Sequence, residues 1–125
     1  MDEDIKDFLE KMNKGRYDLK LFDLYMRPEE SFTYTISGGT ELFEAFGIYS
    51  GYDVSEVIEE KIKDNPLYYE VDWDSESGCF FAYTNNVKAI SMVVETIQLL
   101  AEDPIDEEKW NEFKEHPSIR IRLLV

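Results

Sequence analysis

The chain has one cysteine and one histidine in 125 residues. Cys79 has no second cysteine to pair with, which excludes an internal disulfide and any zinc site built from several cysteines. A nucleophilic pair would need Cys79 and His116 in contact, with the thiol activated. Cys79 alternates with Phe80 in a strand-like stretch flanked by acids. Negative charge and apolar burial both raise a thiol's pKa, the wrong direction for a nucleophile. His116 precedes Pro117 at a helix end, where an imidazole favours the helix dipole. Nowhere does an apolar run approach the roughly 18 residues needed to span a bilayer. Basic residues are also scarce at the start: Met1-Asp2-Glu3-Asp4 is acidic where a secretory signal would be basic, so a cytoplasmic location is expected. The chain lacks G-x-x-x-x-G-K-S/T, G-x-G-x-x-G, G-x-S-x-G and H-E-x-x-H, which lowers the expectation of an enzyme. It also lacks internal repeats, low-complexity tracts and linkers. A single domain over residues 1–125 is expected.

Acids, by contrast, are abundant: 28 Asp and Glu against 13 Lys and Arg, a net charge of −15. Their distribution is uneven. Residues 1–27 carry seven acids and six bases. Residues 28–108 carry nineteen acids and only Lys61, Lys63 and Lys88, a net of −16, and residues 109–125 have a net of +2. A negative surface repels nucleic acid and anionic membranes and draws in basic proteins by long-range steering. Acidity also keeps a protein soluble without any partner. The apolar fraction of 43% suffices for a packed core.

Ile5, Phe8, Leu9 and Met12 at helical spacing, with Gly15 after them, predict an amphipathic helix over residues 3–14. Residues 18–26 read as one strand with broken alternation, twisted or bulged. After a turn at Arg27–Glu30, Phe32, Tyr34 and Ile36 alternate with polar residues and predict a second strand in hairpin with the first. Thr40 caps a short helix through Phe46, and Gly47 to Gly51 is a loop. Asp53 and Glu56 form an acidic capping pattern for a helix bearing Val54, Val57, Ile58 and Ile62, ended by Asn65-Pro66. Leu67, Tyr69, Val71 and Trp73 predict a strand, Asp74 to Gly78 a turn, and Cys79 to Thr84 the return strand. Asn86 caps the longest helix, residues 87–101, and Asp103-Pro104 or Asp106 opens another, holding Trp110 and Phe113. Ile119, Ile121, Leu123 and Val125, alternating with Arg120, Arg122 and Leu124, predict a final strand. The expected fold is α+β: a mostly antiparallel sheet of two hairpins plus a C-terminal strand, with helices packed mainly on one face.

Asp72, Asp74 and Glu76 are spaced like the start of a calcium loop. Counted from Asp72, however, position six is Ser77 and position twelve is Tyr83, where an EF-hand needs Gly and a bidentate acid. A polar hairpin turn accounts for the same residues. Tyr49, Tyr52, Tyr68 and Tyr83 lie in or beside acidic segments, and tyrosine is favoured at protein interfaces.

From Glu41 to about Leu100 the chain resembles a family of bacterial polymorphic-toxin immunity proteins, the one numbered fifty-one. The resemblance rests on Gly51-Tyr52-Asp53 leading into the helix Val54–Lys63. It rests further on Trp73-Asp74-Ser75-Glu76-Ser77-Gly78-Cys79-Phe80-Phe81-Ala82-Tyr83 before a long helix. Val54 stands where that family often carries tryptophan. The resemblance implies an α+β protein that neutralises a toxin by binding it; it implies no catalytic residue, and no cofactor or metal is expected. The expected partner is then a basic toxin domain. Its contacts would be Tyr49, Tyr52, Asp72, Asp74 and Glu76, with Glu41, Glu44, Glu56 and Glu59 as steering charges. Two other expectations stand beside it. One is a DNA mimic or similar phage or plasmid regulator. The other is an enzyme or metal-binding protein that uses Asp72, Asp74 and Glu76.

Overall fold

A computed structural model describes residues 3–4, 15–27, 33–44, 47–101 and 105–124. Most of the helix expected over residues 3–14 lies outside the described residues, as do Phe32, Phe46 and the Asp103-Pro104 step.

The stretch expected to be one irregular strand is two strands, β1 (Arg16–Asp18) and β2 (Phe22–Arg27), paired antiparallel. The broken alternation marks the turn between them. Lys20 takes a left-handed conformation, φ 75°, and its N–H donates to Asp18 Oδ1 at 2.9 Å, while Leu19 N–H donates to Phe22 O at 2.8 Å. An aspartate bonding two residues ahead is a turn device, and it reverses the chain here.

β3 (Thr33–Gly38) pairs with β2, completing the expected hairpin. It leads into a short helix, α1 (Glu41–Glu44). Helix α2 (Gly51–Ile62) starts before the expected Asp53 cap. Ser50 is the N-cap, and its Oγ accepts from Asp53 N–H at 3.1 Å, so Asp53 occupies the third helical position. Val54, Ile58 and Ile62 line the buried face of α2, while Asp53, Glu56 and Glu60 run along the opposite, exposed side and exposed Asp64 follows its end.

Asn65-Pro66 does more than end α2. Asn65 Oδ1 accepts from Leu67 N–H at 2.9 Å and Pro66 supplies a ready-set φ, so Pro66–Glu70 winds into a 3₁₀ turn. The strand expected from Leu67 shrinks to β4 (Asp72–Trp73). β5 (Phe80–Thr84) returns antiparallel to β4, forming the second hairpin, and pairs on its other side with β3. The sheet order is β1-β2-β3-β5-β4.

Helix α3 (Val87–Leu100) is capped by Asn86, whose Oδ1 accepts from Lys88 and Ala89 N–H, and α4 (Glu107–Glu115) is capped by Asp106. The expected C-terminal strand is instead a helix, α5 (Pro117–Leu124). Pro117 suits the first helical position, where no N–H is needed. The two-residue alternation of Ile119 and Leu123 is also an i, i+4 pair on one helix face. Ile119 is fully buried, Leu123 packs against the core, and Arg122 Nη1 donates to Tyr34 Oη at 3.4 Å.

One face of the sheet carries Tyr17, Phe22, Leu24, Met26, Tyr34, Ile36, Phe80 and Ala82, all buried. Against it pack Val54, Ile58, Ile90, Val93, Val94, Ile97, Trp110 and Phe113 from α2, α3 and α4, forming one continuous core. Edge-to-face rings tie the layers: Phe22 meets Phe80 at 5.8 Å, and Phe113 meets Tyr17 at 5.3 Å and Tyr34 at 6.0 Å. The opposite face presents Asp23, Tyr25, Ser37, Asp72, Phe81 and Tyr83. There Arg16 pairs with Asp23 at 2.9 Å. Among the described residues no helix is long and apolar enough to cross a membrane.

Candidate functional site

Four features gather at one end of the sheet. Phe22 opposes Gly38, and Gly38 opposes Phe80, so the β1–β2 turn, the exit from β3 into α1 and the β4–β5 turn lie together. The N-terminus of α2 joins them through Gly51, whose N–H donates to Ser77 O at 2.9 Å. Gly51 is buried, and a Cβ there would overlap the carbonyl oxygens of Glu76 and Cys79. Only glycine permits this approach. The close packing fixes the Tyr49–Tyr52 loop against the Asp74–Cys79 turn.

The turn itself is tight. Glu76 and Cys79 exchange backbone hydrogen bonds at 2.9 and 3.3 Å across Ser77-Gly78. Asp74 N–H donates to Phe81 O at 2.9 Å, and Phe81 N–H donates to Ser75 Oγ at 3.0 Å. Asp72, Asp74 and Glu76 alternate along this strand and its extension. They share one face, about 6.8 Å apart at two-residue steps. All three are exposed. Asp74, Glu76, Cys79 and Phe81 line a shallow depression of about 190 Å³.

The site residues expected from sequence fall into three groups. Tyr49 (68% exposed) and Tyr52 (57%) stand on the segment whose Gly51 backbone meets the turn that carries Asp74 and Glu76, and Asp72 continues the acidic row. Glu41 and Glu44 on α1 and Glu56 on α2 are exposed, with Glu44 Oε1 accepting from Thr40 Oγ1 at 3.4 Å. Glu59 is placed differently. It is half-buried, and its carboxylate accepts from Ser55 Oγ and from Tyr68 Oη, each at 2.8 Å. That hydrogen bond to Glu59 raises the pKa of Tyr68. Tyr68 and Tyr83, grouped with the exposed tyrosines from sequence, are half-buried.

Bases are sparse nearby. Lys61 and Lys63 lie at the far end of α2, and Lys63 pairs with Glu60 at 2.7 Å. Lys20, in the β1–β2 turn, stands three to four strand spacings from β4, roughly 14–19 Å. Among the described residues no three His, Cys, Asp or Glu side chains converge in a way that could hold a metal ion. Cys79 alternates with buried Phe80 and so lies on the sheet face opposite α2, α3 and α4, where its Sγ donates to Phe80 O at 3.2 Å. His116 caps α4 in the helix layer, so the sheet separates the two.

Protein-family models, curated proteins and solved structures give no match to this chain. The functional reading therefore rests on the residues and their geometry.

Two exposed residues escaped the sequence reading. Tyr69 is 82% exposed, and Leu99, within the helix expected over residues 87–101, is 87% exposed. Tyr69 begins an aromatic chain: Tyr68 meets it edge-to-face at 5.3 Å and stacks on Trp73 at 5.8 Å, and Trp73 contacts Phe80 at 6.2 Å. The missed signal is the Asn65-Pro66 helix start, which turns Tyr69 outward where a strand would have placed it inward.

Proposed function

We propose that this protein is an inhibitor of the immunity type, which binds a cationic toxin domain and covers its working surface. The observation that carries this reading is the Gly51–Ser77 contact, which joins the backbone of the loop bearing exposed Tyr49 and Tyr52 to the turn that follows Asp72, Asp74 and Glu76. Tyrosines supply large, rigid contact area at low entropic cost. Surrounding carboxylates accelerate encounter with a positive surface and reject acidic partners. The exposed acids Asp53, Glu56 and Glu60 on α2, with Asp64 just past its end, extend the negative field away from the contact. Toxins that act on nucleic acid must hold phosphates and are cationic for that reason.

The test is co-expression with the product of the adjacent gene. The expected result is a stable complex and rescue of growth, weakened by Tyr52→Ala combined with Asp74→Asn and Glu76→Gln. No complex and no rescue would remove the reading. A DNA mimic is the second reading, favoured by the α2 row of carboxylates. Breadth separates the two: a mimic binds several unrelated DNA-binding proteins, whereas an inhibitor of this type prefers one.

A further inference from the structure

β4 ends the sheet, and no described strand pairs with its outer side. Asp74 donates inward to Phe81 O, and antiparallel backbone groups alternate in direction, so the N–H and C=O of Trp73 point outward. Trp73 also holds the only buried side-chain donor without an acceptor among the described residues, its Nε1. Exposed strand edges invite pairing and are commonly guarded by lysine or proline. Residues 71–76 contain neither. On one face this edge shows Asp72, Asp74 and Glu76; on the other lies the Tyr69–Tyr68–Trp73 aromatic chain. A second copy of the chain would bring the same carboxylates against themselves, which is destabilising across paired strands. A strand with Lys or Arg at every second position places its charges at the same two-residue step as the acids.

We propose that β4 receives an extended cationic segment of the partner, which adds to the sheet edge through the Trp73 backbone and pairs its basic side chains with Asp72, Asp74 and Glu76. This rests on the inhibitor reading and specifies its mode of contact as strand addition. By contrast, the outer strand β1 has its arginine engaged with Asp23 and Tyr17 packed on Phe113.

The probe is a capped Lys-Thr-Lys-Thr-Lys-Thr-Lys peptide, compared with a copy N-methylated at its amides, which keeps the charge and removes the ladder. Titration is followed by the Trp73 amide resonance and its hydrogen exchange. The expected result is binding of the first peptide at least about tenfold tighter than the second, with the Trp73 amide protected. Substituting Asp72→Asn, Asp74→Asn and Glu76→Gln together should weaken that binding about tenfold. Equal binding of both peptides, or of neither, overturns strand addition. If the adjacent gene's product is still neutralised while Trp73 exchange in that complex stays unchanged, the edge proposal falls and the inhibitor reading stands. If neither that product nor the peptide binds, both fall.

Discussion

Replacing Gly51 with alanine places a methyl group where the carbonyl oxygens of Glu76 and Cys79 already sit. Both obstacles are backbone, in a turn closed by its own hydrogen bonds, so neither can swing aside as a side chain would. Forced overpacking costs about 1–3 kcal/mol. If the turn retreats, the Gly51–Ser77 hydrogen bond is also lost, at about 0.5–1.5 kcal/mol. Against this, alanine relieves the entropic cost of glycine in a helix by at most about 1 kcal/mol, and less at a first helical position. The net expectation is a loss of about 2 kcal/mol. For a domain of this size that is a fall in Tm on the order of 8 °C, seen in urea as a lower midpoint at unchanged slope. Gly78 is the control: it lies in the same turn, and a Cβ there meets nothing within 4 Å. Gly78→Ala should change stability by less than about 0.5 kcal/mol. A Gly51→Ala protein as stable as the parent, or a Gly78→Ala protein equally damaged, would refute the idea that glycine is required to join the tyrosine loop to the acidic turn.

Alkaline unfolding follows from the tyrosines. Burial raises the pKa of Tyr17, with Glu112 adding to it, and burial raises that of Tyr34 although Arg122 opposes it. The neutral forms are favoured in the folded state, so their stabilisation is complete below about pH 10 and is lost as pH rises through the raised values. Chemical denaturation across that range should show the decline, with a shallower slope in Tyr17→Phe. Turning one of the two acceptor oxygens into a donor with Glu59→Gln should cost about 1 kcal/mol by thermal unfolding, because Ser55 and Tyr68 donate to different oxygens of that carboxylate. Ile119→Ala should cost about 2–5 kcal/mol, since Ile119 is fully buried. Leu99→Ala should stay within about 0.5 kcal/mol, because Leu99 is almost wholly exposed.

The sequence was most legible where period and punctuation agreed. The β2–β3 hairpin, α3 behind Asn86 and α4 behind Asp106 all follow from alternation or helical stripes bounded by caps. It misled where one pattern serves two structures. Ile119 and Leu123 satisfy both a strand face and a helix face, and their packing on the core as one helix face is a tertiary fact that the alternation alone does not carry. At Asn65-Pro66 and His116-Pro117 proline marks the end of one helix, yet in each place it also starts the next helical turn. Ser50 was passed over as a cap because Asp53 offered a more conspicuous acid. At the site, the acids and tyrosines could be named from sequence, but the meeting of the two backbone segments that carry them could not. It depends on Gly51 approaching the Glu76–Cys79 turn from 25 residues away, and nothing local encodes that.

The inhibitor reading stands or falls on electrostatic capture by the acidic, tyrosine-bearing end of the sheet. The direct measurement is the rate of association with the adjacent gene's product, by stopped flow, at rising ionic strength. Expected is a rate that falls steeply as salt is added. It should fall again when Asp72, Asp74 and Glu76 are neutralised together, while Tyr52→Ala acts mainly on dissociation. A rate indifferent to salt, and unchanged by those substitutions, would contradict it.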